Sequence, residues 1–257
     1  MPEYCVTGGT GFIAAYLVKS LLQNGHTVRT TVRDPGDCAK VGFLSEFPGA
    51  EKRLKIMKAD LMVVGSFDEA IEGVDGVFHT ASPVLVPYDN NIQLWYAYAK
   101  TVAEKEAWRI ADESGINLVV VNPSFVVGPL LAPQPTSTLL LILSMLKGVG
   151  TEYPNTTVGF VHIDDVVAAH ILAMEDIRAS GRLICSSSVA HWSQIIQMLK
   201  PIYPSYPYQN RCSSQEGDNK PHSMDTTKIT QLGFPPFKTL QQMFNDCINS
   251  FQLKGFL

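Results

Sequence analysis

The sequence predicts an α/β fold in which a doubly wound parallel sheet carries a small C-terminal lobe. In the first half of the chain, short runs rich in β-branched residues alternate with amphipathic helical patterns, as in parallel strands joined by crossover helices. A glycine-rich turn separates the first of these strands from the first helix. Residues 116–121 are five apolar residues and one asparagine, a composition typical of a strand buried on both faces.

The individual elements are predicted from the period of apolar residues and from capping and stop residues. Strands are expected at residues 4–7, 26–32, 54–59, 76–80, 116–121, 158–161 and 182–185. Helices are expected at residues 12–23, 95–113, 165–174 and 191–200, with Asp164 and Ser193 as N-cap residues of the last two. Residues 201–223 lack periodicity, so they form either a surface loop or a lid over a ligand.

Composition and charge exclude several classes of function. The net charge of -4 argues against nucleic-acid binding, which needs a clustered positive surface. Five cysteines without a C-x-x-C pair predict reduced thiols, and the first residues do not resemble a signal peptide, so we expect a cytoplasmic protein. Apolar runs such as residues 139–143 are too short to span a membrane. The oligomeric state is not indicated by any sequence pattern.

The glycine-rich turn has the sequence TGGTGFIA at residues 7–14 and leads directly into a predicted helix. Gly8 permits a tight turn, Gly11 lets backbone amides approach a pyrophosphate at the positive end of the helix, and Ala14 permits close helix–strand packing. Because strand, spacing and helix agree, this turn predicts a dinucleotide-binding site of the Rossmann type.

The end of the second predicted strand indicates which dinucleotide binds. An NAD-specific site places an acidic residue about twenty residues beyond the last glycine, whereas this chain has Arg33 there. Arg33 and Lys40 suit a 2′-phosphate, so the sequence favours NADP(H). Asp34 leaves an alternative open, since its carboxylate could serve NAD or cap the turn.

A tyrosine–lysine pair lies on the long predicted helix. Tyr96 and Lys100 are four residues apart and therefore lie on the same helical face. Reduction of a carbonyl by hydride requires a proton donor, and a nearby ammonium lowers the pKa of a phenol toward the neutral range. Tyr96 and Lys100 are thus the predicted catalytic pair, whereas Tyr98 has Val102 at the matching position.

The chain is predicted to divide into two units. Residues 1–128 and 156–190 form the dinucleotide-binding domain, and residues 129–155 and 191–257 form the substrate-binding lobe. His162 and His170 superficially resemble metal ligands, but no third ligand has suitable spacing. A helix capped by Asp164 is the favoured interpretation there, and no metal site is expected.

Seven segments together resemble a known family: TGGTGFIA, TTVRDP, KADL, GVFHTASP, YAYAK, NPSFVVGP and FVHIDDVVAAH. They are similar to the dihydroflavonol reductase and cinnamoyl-CoA reductase group of plant extended short-chain reductases, and within it to the tetraketide α-pyrone reductases. The resemblance covers nearly the whole chain. It implies reduction of a ketone carbonyl of a small-molecule substrate by NADPH, in that subgroup on polyketide pyrones that feed the sporopollenin of pollen walls.

The resemblance also implies roles for individual residues around the cofactor. Thr10, Gly11, Phe12 and Ile13 would line the pyrophosphate, Arg33 and Lys40 the 2′-phosphate, Asp60 and Leu61 the adenine, Thr80 and Ala81 the nicotinamide ribose, and Pro123 and Val126 the nicotinamide.

One departure from the family affects the catalytic site. The family has a further helix and strand before the tyrosine helix, and that strand ends in a serine that completes the catalytic set. Here thirteen residues separate Ala81 from Trp95, and Ser82 is the sole serine between Phe67 and Glu113. The fourth strand and the next must therefore either pair directly or leave open edges.

Two hypotheses follow. The chain is an NADPH-dependent ketone reductase, or it is a splice or gene-model variant that binds the dinucleotide but is catalytically impaired.

Overall fold

The computed structural model describes residues 1–82, 90–135, 138–150, 152–214 and 222–257, and only the backbone of residues 90–94. The strands are β1 (Glu3–Thr7), β2 (Thr27–Val32), β3 (Leu54–Lys58), β4 (Gly76–His79), β5 (Val119–Pro123), β6 (Phe125–Val127), β7 (Glu152–Tyr153), β8 (Thr157–His162), β9 (Gly181–Cys185), β10 (Ser188–His191) and β11 (Arg211–Cys212). The helices are α1 (Phe12–Gln23), α2 (Cys38–Ser45), α3 (Ala50–Arg53), α4 (Asp68–Ile71), α5 (Asn90–Ser114), α6 (Thr138–Leu146), α7 (Ile163–Glu175), α8 (Trp192–Leu199), α9 (Thr227–Gln231) and α10 (Leu240–Leu253).

The N-terminal half forms a parallel four-stranded sheet in the order β3-β2-β1-β4. Tyr4 of β1 is in register with Val28 on one side and Gly76 on the other. Apolar residues of α1 and α7 pack on one face of this sheet, and Ala70 of α4 packs with Cys5 and Met57 in a separate cluster. Helices thus cover both faces, and the predicted doubly wound α/β class is confirmed.

The parallel sheet is interrupted after β4. Strand β5 pairs with β9 in a separate two-stranded sheet, and no ladder joins β4 to β5 within the described part of the chain. Of the two predicted outcomes, direct pairing is therefore not found among the described residues. All five residues of β5 are only half-buried, so the prediction of a strand buried on both faces is wrong. Among the described residues, β9 is the one strand that pairs with β5.

The C-terminal half contains a second apolar cluster. Phe160 of β8, Trp192 of α8 and Phe244 of α10 are buried there in edge-to-face contact, together with residues of α6. Phe160 also lies in the small sheet β10-β8-β6. The lobe thus has a core of its own, while the domain boundaries given above stay a prediction.

Two helices begin at a histidine rather than at the predicted cap. His162 is the N-cap of α7, where its Nδ1 accepts the amide hydrogen of Asp164 at 3.0 Å. His191 is the N-cap of α8 and forms a capping box with Gln194. The unprotonated nitrogen of a neutral imidazole accepts an amide hydrogen as an Asp or Ser oxygen would. Asp164 and Ser193 instead lie in the first turns of these helices.

Candidate active site

The glycine-rich turn between β1 and α1 is a compact backbone structure. Gly8 has a φ of 77°, and a Cβ atom at this position would lie 3.0 Å from the Cα of Ala81. A Cβ on Gly9 would overlap the hydroxyl of Thr30. The amide of Gly11 donates to the carbonyl of Gly8 at 2.8 Å, and Gly11 is the N-cap of α1. Side chains are therefore excluded where a pyrophosphate would approach the positive end of α1.

Thr7 ties the end of β1 to the chain that follows β4. Its buried hydroxyl oxygen accepts the amides of Thr80 and Ala81, both at 3.1 Å, and lies 3.0 Å from Nδ1 of His79. A hydroxyl has two acceptor positions and one hydrogen. Because both acceptor positions are taken by amides, the hydroxyl hydrogen is left for Nδ1 of His79, which favours a neutral imidazole.

The sequence gives little indication of this role for Thr7 and His79. Each is the last residue of a strand, and that position is the one signal that could have identified them. Thr80 and Ala81, which were predicted from the sequence, lie beside Gly8, and the hydroxyl of Thr80 donates to the carbonyl of Thr7 at 2.8 Å.

The predicted 2′-phosphate residues lie beyond the end of β2. Arg33 is exposed, and Lys40 in the first turn of α2 forms an ion pair with Asp37 at 2.7 Å. Asp34 accepts the amide of Gly36 at 2.9 Å, which is the turn-capping role that the sequence left open. Two exposed cations therefore lie beyond the end of β2, where the sequence predicts the 2′-phosphate.

The predicted adenine residues follow β3. One carboxylate oxygen of Asp60 accepts the amide of Met62 at 2.9 Å, and the hydroxyl of Ser66 bonds to the backbone of Asp60. Leu61 is 46% exposed. This loop is thus shaped by its own hydrogen bonds and presents an apolar side chain to solvent.

Tyr96 and Lys100 lie on α5, in a row that continues through Glu104 and Trp108 at four-residue intervals. Glu104 accepts hydrogen bonds from Arg182 of β9 and from Trp108, so this row faces β9 farther along the helix. Tyr96 is 41% exposed, whereas Tyr98 is 62% exposed with its ring against Trp95.

Lys100 acts electrostatically on His79. Desolvation of the imidazole lowers the pKa of His79, and the positive charge of Lys100 lowers this pKa further. His79 ends β4, and its Nδ1 lies 3.0 Å from the hydroxyl oxygen of Thr7.

The predicted nicotinamide residues lie at the end of β5 and in β6. Pro123 ends β5 and is half-buried, while Val126 in β6 is buried. The amide of Ser124 between them donates to the carbonyl of Cys185 at 3.0 Å. A cavity of about 280 Å³ lies nearby at the carboxyl end of β9, lined by residues 186–189 and by His222, Ser223, Met224 and Thr226.

A larger cavity of about 510 Å³ lies between α1 and α7, on the helical layer that covers the sheet. Ligands of open α/β sheets bind at the carboxyl ends of the strands, so this cavity is not the candidate active site.

Within the described residues, no group of three metal-ligating side chains is found. Nδ1 of His170 lies 2.7 Å from the carbonyl of Val166. No described helix is both long and apolar enough to cross a membrane.

Ser82 directly follows Ala81 and is half-buried. The next serine in the sequence is Ser114, at the end of α5 and well beyond Tyr96 and Lys100.

Two family models match the chain. One, described as NAD(P)H-binding, matches residues 8–129, and the other, the NAD dependent epimerase/dehydratase family, matches residues 87–184. With the fold and the turn at Gly8, these matches define an extended short-chain dehydrogenase/reductase that uses NAD(P)H.

Comparison with curated relatives identifies the group of reductases within this class. The chain is 58% identical to tetraketide alpha-pyrone reductase 2 of Arabidopsis thaliana over 321 aligned positions, which cover 100% of both chains. It is 37% identical to cinnamoyl-CoA reductase 2 of Medicago truncatula, with 98% of this chain and 92% of the relative covered. The chain therefore belongs to the dihydroflavonol reductase and cinnamoyl-CoA reductase group of plant extended short-chain reductases, which are NADP-dependent oxidoreductases.

A solved structure supports the same grouping. Vestitone reductase from alfalfa (Medicago sativa L.) superposes with a TM-score of 0.83 at 29% sequence identity, and 100% of each chain is covered.

The alignment with the Arabidopsis thaliana relative has 321 positions against 257 residues in this chain, a difference of 64 positions. This difference is consistent with the missing helix and strand.

Replacement of Gly8 by Ala tests the turn. We expect the left-handed backbone alone to cost about 1–2 kcal/mol of folding free energy, with an additional clash against Ala81. Gly73→Ala is the matched control, because Gly73 has a φ of 73° and no heavy atom within 4 Å of an added Cβ. Only Gly8→Ala should lose the rise in melting temperature that NADPH causes. An equal NADPH-induced rise in both variants would contradict the assignment of the turn.

The position of Lys100 can be tested through the pKa of His79. Lys100→Met removes a positive charge, so the pKa of His79 should rise when its imidazole protons are followed by NMR during a pH titration. Lys105→Met on another face of α5 should leave this pKa unchanged. The same pKa in Lys100→Met as in the parent chain would show that Lys100 does not lie near the end of β4.

Proposed function

We propose that the chain reduces a ketone carbonyl of a polyketide or phenylpropanoid-type substrate with NADPH, in the cytoplasm. A tetraketide α-pyrone is the proposed substrate, which would connect the protein to the formation of sporopollenin in the pollen exine. The proposal is supported by the 58% identity to a relative named tetraketide alpha-pyrone reductase 2. The structural observation that supports it best is the tight backbone turn at Gly8, before the start of α1, where an added Cβ would lie 3.0 Å from the Cα of Ala81.

In this proposal the cofactor extends along the carboxyl ends of the strands. The turn at Gly8 and the first residues of α1 hold the pyrophosphate, as the tight backbone there suggests. Arg33 and Lys40 hold the 2′-phosphate, Asp60 and Leu61 contact the adenine, and Thr80 and Ala81 lie beside the nicotinamide ribose. Pro123 and Val126 contact the nicotinamide.

The bound nicotinamide would supply the hydride. Tyr96 would then donate its phenolic proton to the carbonyl oxygen of the substrate. Lys100 would stabilise the phenolate that forms as the proton leaves. The 41% exposure of Tyr96 leaves its ring accessible to a substrate.

The interrupted sheet favours a second candidate function, a protein that binds the dinucleotide but is catalytically impaired. Loss of one hydrogen-bond donor to a developing oxyanion typically lowers the rate about a hundredfold to a thousandfold. The segment with the family's serine is missing, and the half-buried β5 lacks a neighbour on one side. NADPH binding in a calorimeter without turnover of any pyrone or aromatic ketone would support this candidate.

The catalytic role of Tyr96 is tested by Tyr96→Phe. We expect NADPH oxidation with a planar pyrone ketone to fall about a hundredfold or more, because the proton donor is lost. NADPH binding should be unchanged. Tyr98→Phe is the matched control and should retain the rate, since Tyr98 has no lysine four residues ahead. Full activity in Tyr96→Phe would rule out the proposed mechanism.

Arg33→Ala tests the choice of cofactor. Hydrogen bonds to a charged group contribute about 1.5–3 kcal/mol, so the dissociation constant for NADPH should rise about tenfold or more. The dissociation constant for NADH should not change. Lys52→Ala removes an exposed positive charge elsewhere and serves as the control. A similar loss of affinity for both cofactors in Arg33→Ala would argue against a 2′-phosphate site.

A further inference from the structure

The side chain of Glu104 joins α5 to two neighbouring strands. Its carboxylate accepts hydrogen bonds from the guanidinium of Arg182 in β9 and, at 3.1 Å, from the indole of Trp108 one turn farther along the helix. The side-chain amide of Asn122 in β5 donates to it as well. Burial acts to raise the pKa of Glu104, but these three hydrogen bonds and the charge of Arg182 outweigh it, so the pKa is lowered. Glu104 therefore accepts these bonds as a charged carboxylate.

The two donors from the strands lie on one face of the β5–β9 pair. Arg182 is in register with Val120, and Asn122 lies two residues farther along β5. Residues two apart in a strand point to the same face and are separated by about 7 Å. Glu104 thus bonds to two separate positions on the face that α5 covers. Two such bonds restrain both the height of the helix along the strands and its rotation about its own axis.

Glu104 differs from the neighbouring glutamates of α5. Its side chain is 20% exposed, whereas the side chains of Glu106 and Glu113 are 53% and 62% exposed. Those two bond to Arg109 of the same helix and not to a strand. Among residues 95–114, Ala111 is the one buried hydrophobic residue, so apolar packing alone fixes the helix weakly. The position of α5 therefore depends strongly on Glu104.

This contact lies beside both parts of the proposed reaction site. Glu104 follows Lys100 by one turn of the helix and Tyr96 by two turns, about 6 Å and 12 Å along its axis. Asn122 is followed directly by Pro123, a proposed nicotinamide contact. One carboxylate thus connects the helix of the proposed proton donor with the strand that leads to the proposed nicotinamide site.

We propose that Glu104 is a positioning residue of the reduction, whose bonds to β5 and β9 set the distance of Tyr96 and Lys100 from the nicotinamide. This assignment rests on the proposed function. A displacement of about 1 Å in reacting groups can lower a rate about a hundredfold. An ion pair with an exposed partner contributes little to the free energy of unfolding. Loss of Glu104 should therefore affect the rate far more than the stability.

Glu104→Gln keeps the size of the side chain but removes its charge and replaces one acceptor oxygen by a donor. We expect kcat for NADPH oxidation with a planar pyrone ketone to fall about tenfold to a hundredfold. KM for the ketone and Kd for NADPH should change less than about twofold, because Glu104 contacts neither molecule in this proposal. Glu106→Gln on the same helix is the matched control and should keep the kcat of the parent chain.

The donor in β9 gives a second test of the same contact. Arg182→Met removes the charged donor and should lower kcat as Glu104→Gln does. Arg182→Lys keeps a cation on a long side chain and should restore part of kcat, though not all of it, because an ammonium does not reproduce the geometry of a guanidinium. A purely structural role would not separate kcat from KM in this series.

Hydrogen exchange examines the contact without any activity. Backbone amides of residues 95–114 should exchange about fivefold faster in Glu104→Gln than in the parent chain, because the helix is held by fewer bonds. Amides of β1 and β2 should exchange as before. Glu106→Gln should leave both regions unchanged.

The proposal is overturned if Glu104→Gln has the same kcat as Glu106→Gln, or if its kcat falls only in proportion to the folded fraction. Equal exchange of residues 95–114 in the two variants also overturns it. A parent chain that oxidises no NADPH with any pyrone ketone would reject the proposed function instead. Exchange alone would then decide whether Glu104 holds α5 against β5 and β9.

Discussion

The hydrogen bonds that converge on Thr7 and Gly8 hold the carboxyl ends of three strands together, and the cofactor site depends on them. The hydroxyl of Thr7 accepts two amides from the chain after β4, and the amide of Gly8 donates to the hydroxyl of Thr31 in β2 at 3.1 Å. The backbone at Gly8 approaches Ala81 so closely that no side chain fits. These contacts leave the first turn of α1 open to an anionic group.

The proposed catalytic residues lie on α5, which few contacts attach to the rest of the described structure. Helix α5 is linked to β9 by Arg182 and Glu104, and Arg182 is 62% exposed. An exposed ion pair of this kind contributes only about 0–1 kcal/mol. Among residues 95–114 of α5, Ala111 is the one buried hydrophobic residue. The proposed cofactor site and the proposed catalytic pair thus lie on different elements, the first on the sheet β3-β2-β1-β4 and the second on α5.

Much of the proposed site is visible in the sequence because its motifs are local. A turn that needs glycine, a cation at the end of β2 and a tyrosine four residues before a lysine are all visible in adjacent letters. The helix caps were mistaken because His162 and His191 cap through a ring nitrogen, which ordinary capping preferences do not include. The roles of Thr7 and His79 were not visible, because they depend on residues more than seventy positions apart.

By itself the sequence determined the α/β class, the family and the absence of a helix and strand before Tyr96. Each of these follows from the local spacing of residues or from the length of the chain. Only the tertiary structure decided how the sheet responds to that absence. Within the described residues, β4 pairs with β1 and β5 pairs with β9, and the two strands do not pair with each other. Which strands pair with each other depends on packing across the whole domain, and a local sequence pattern does not contain that information.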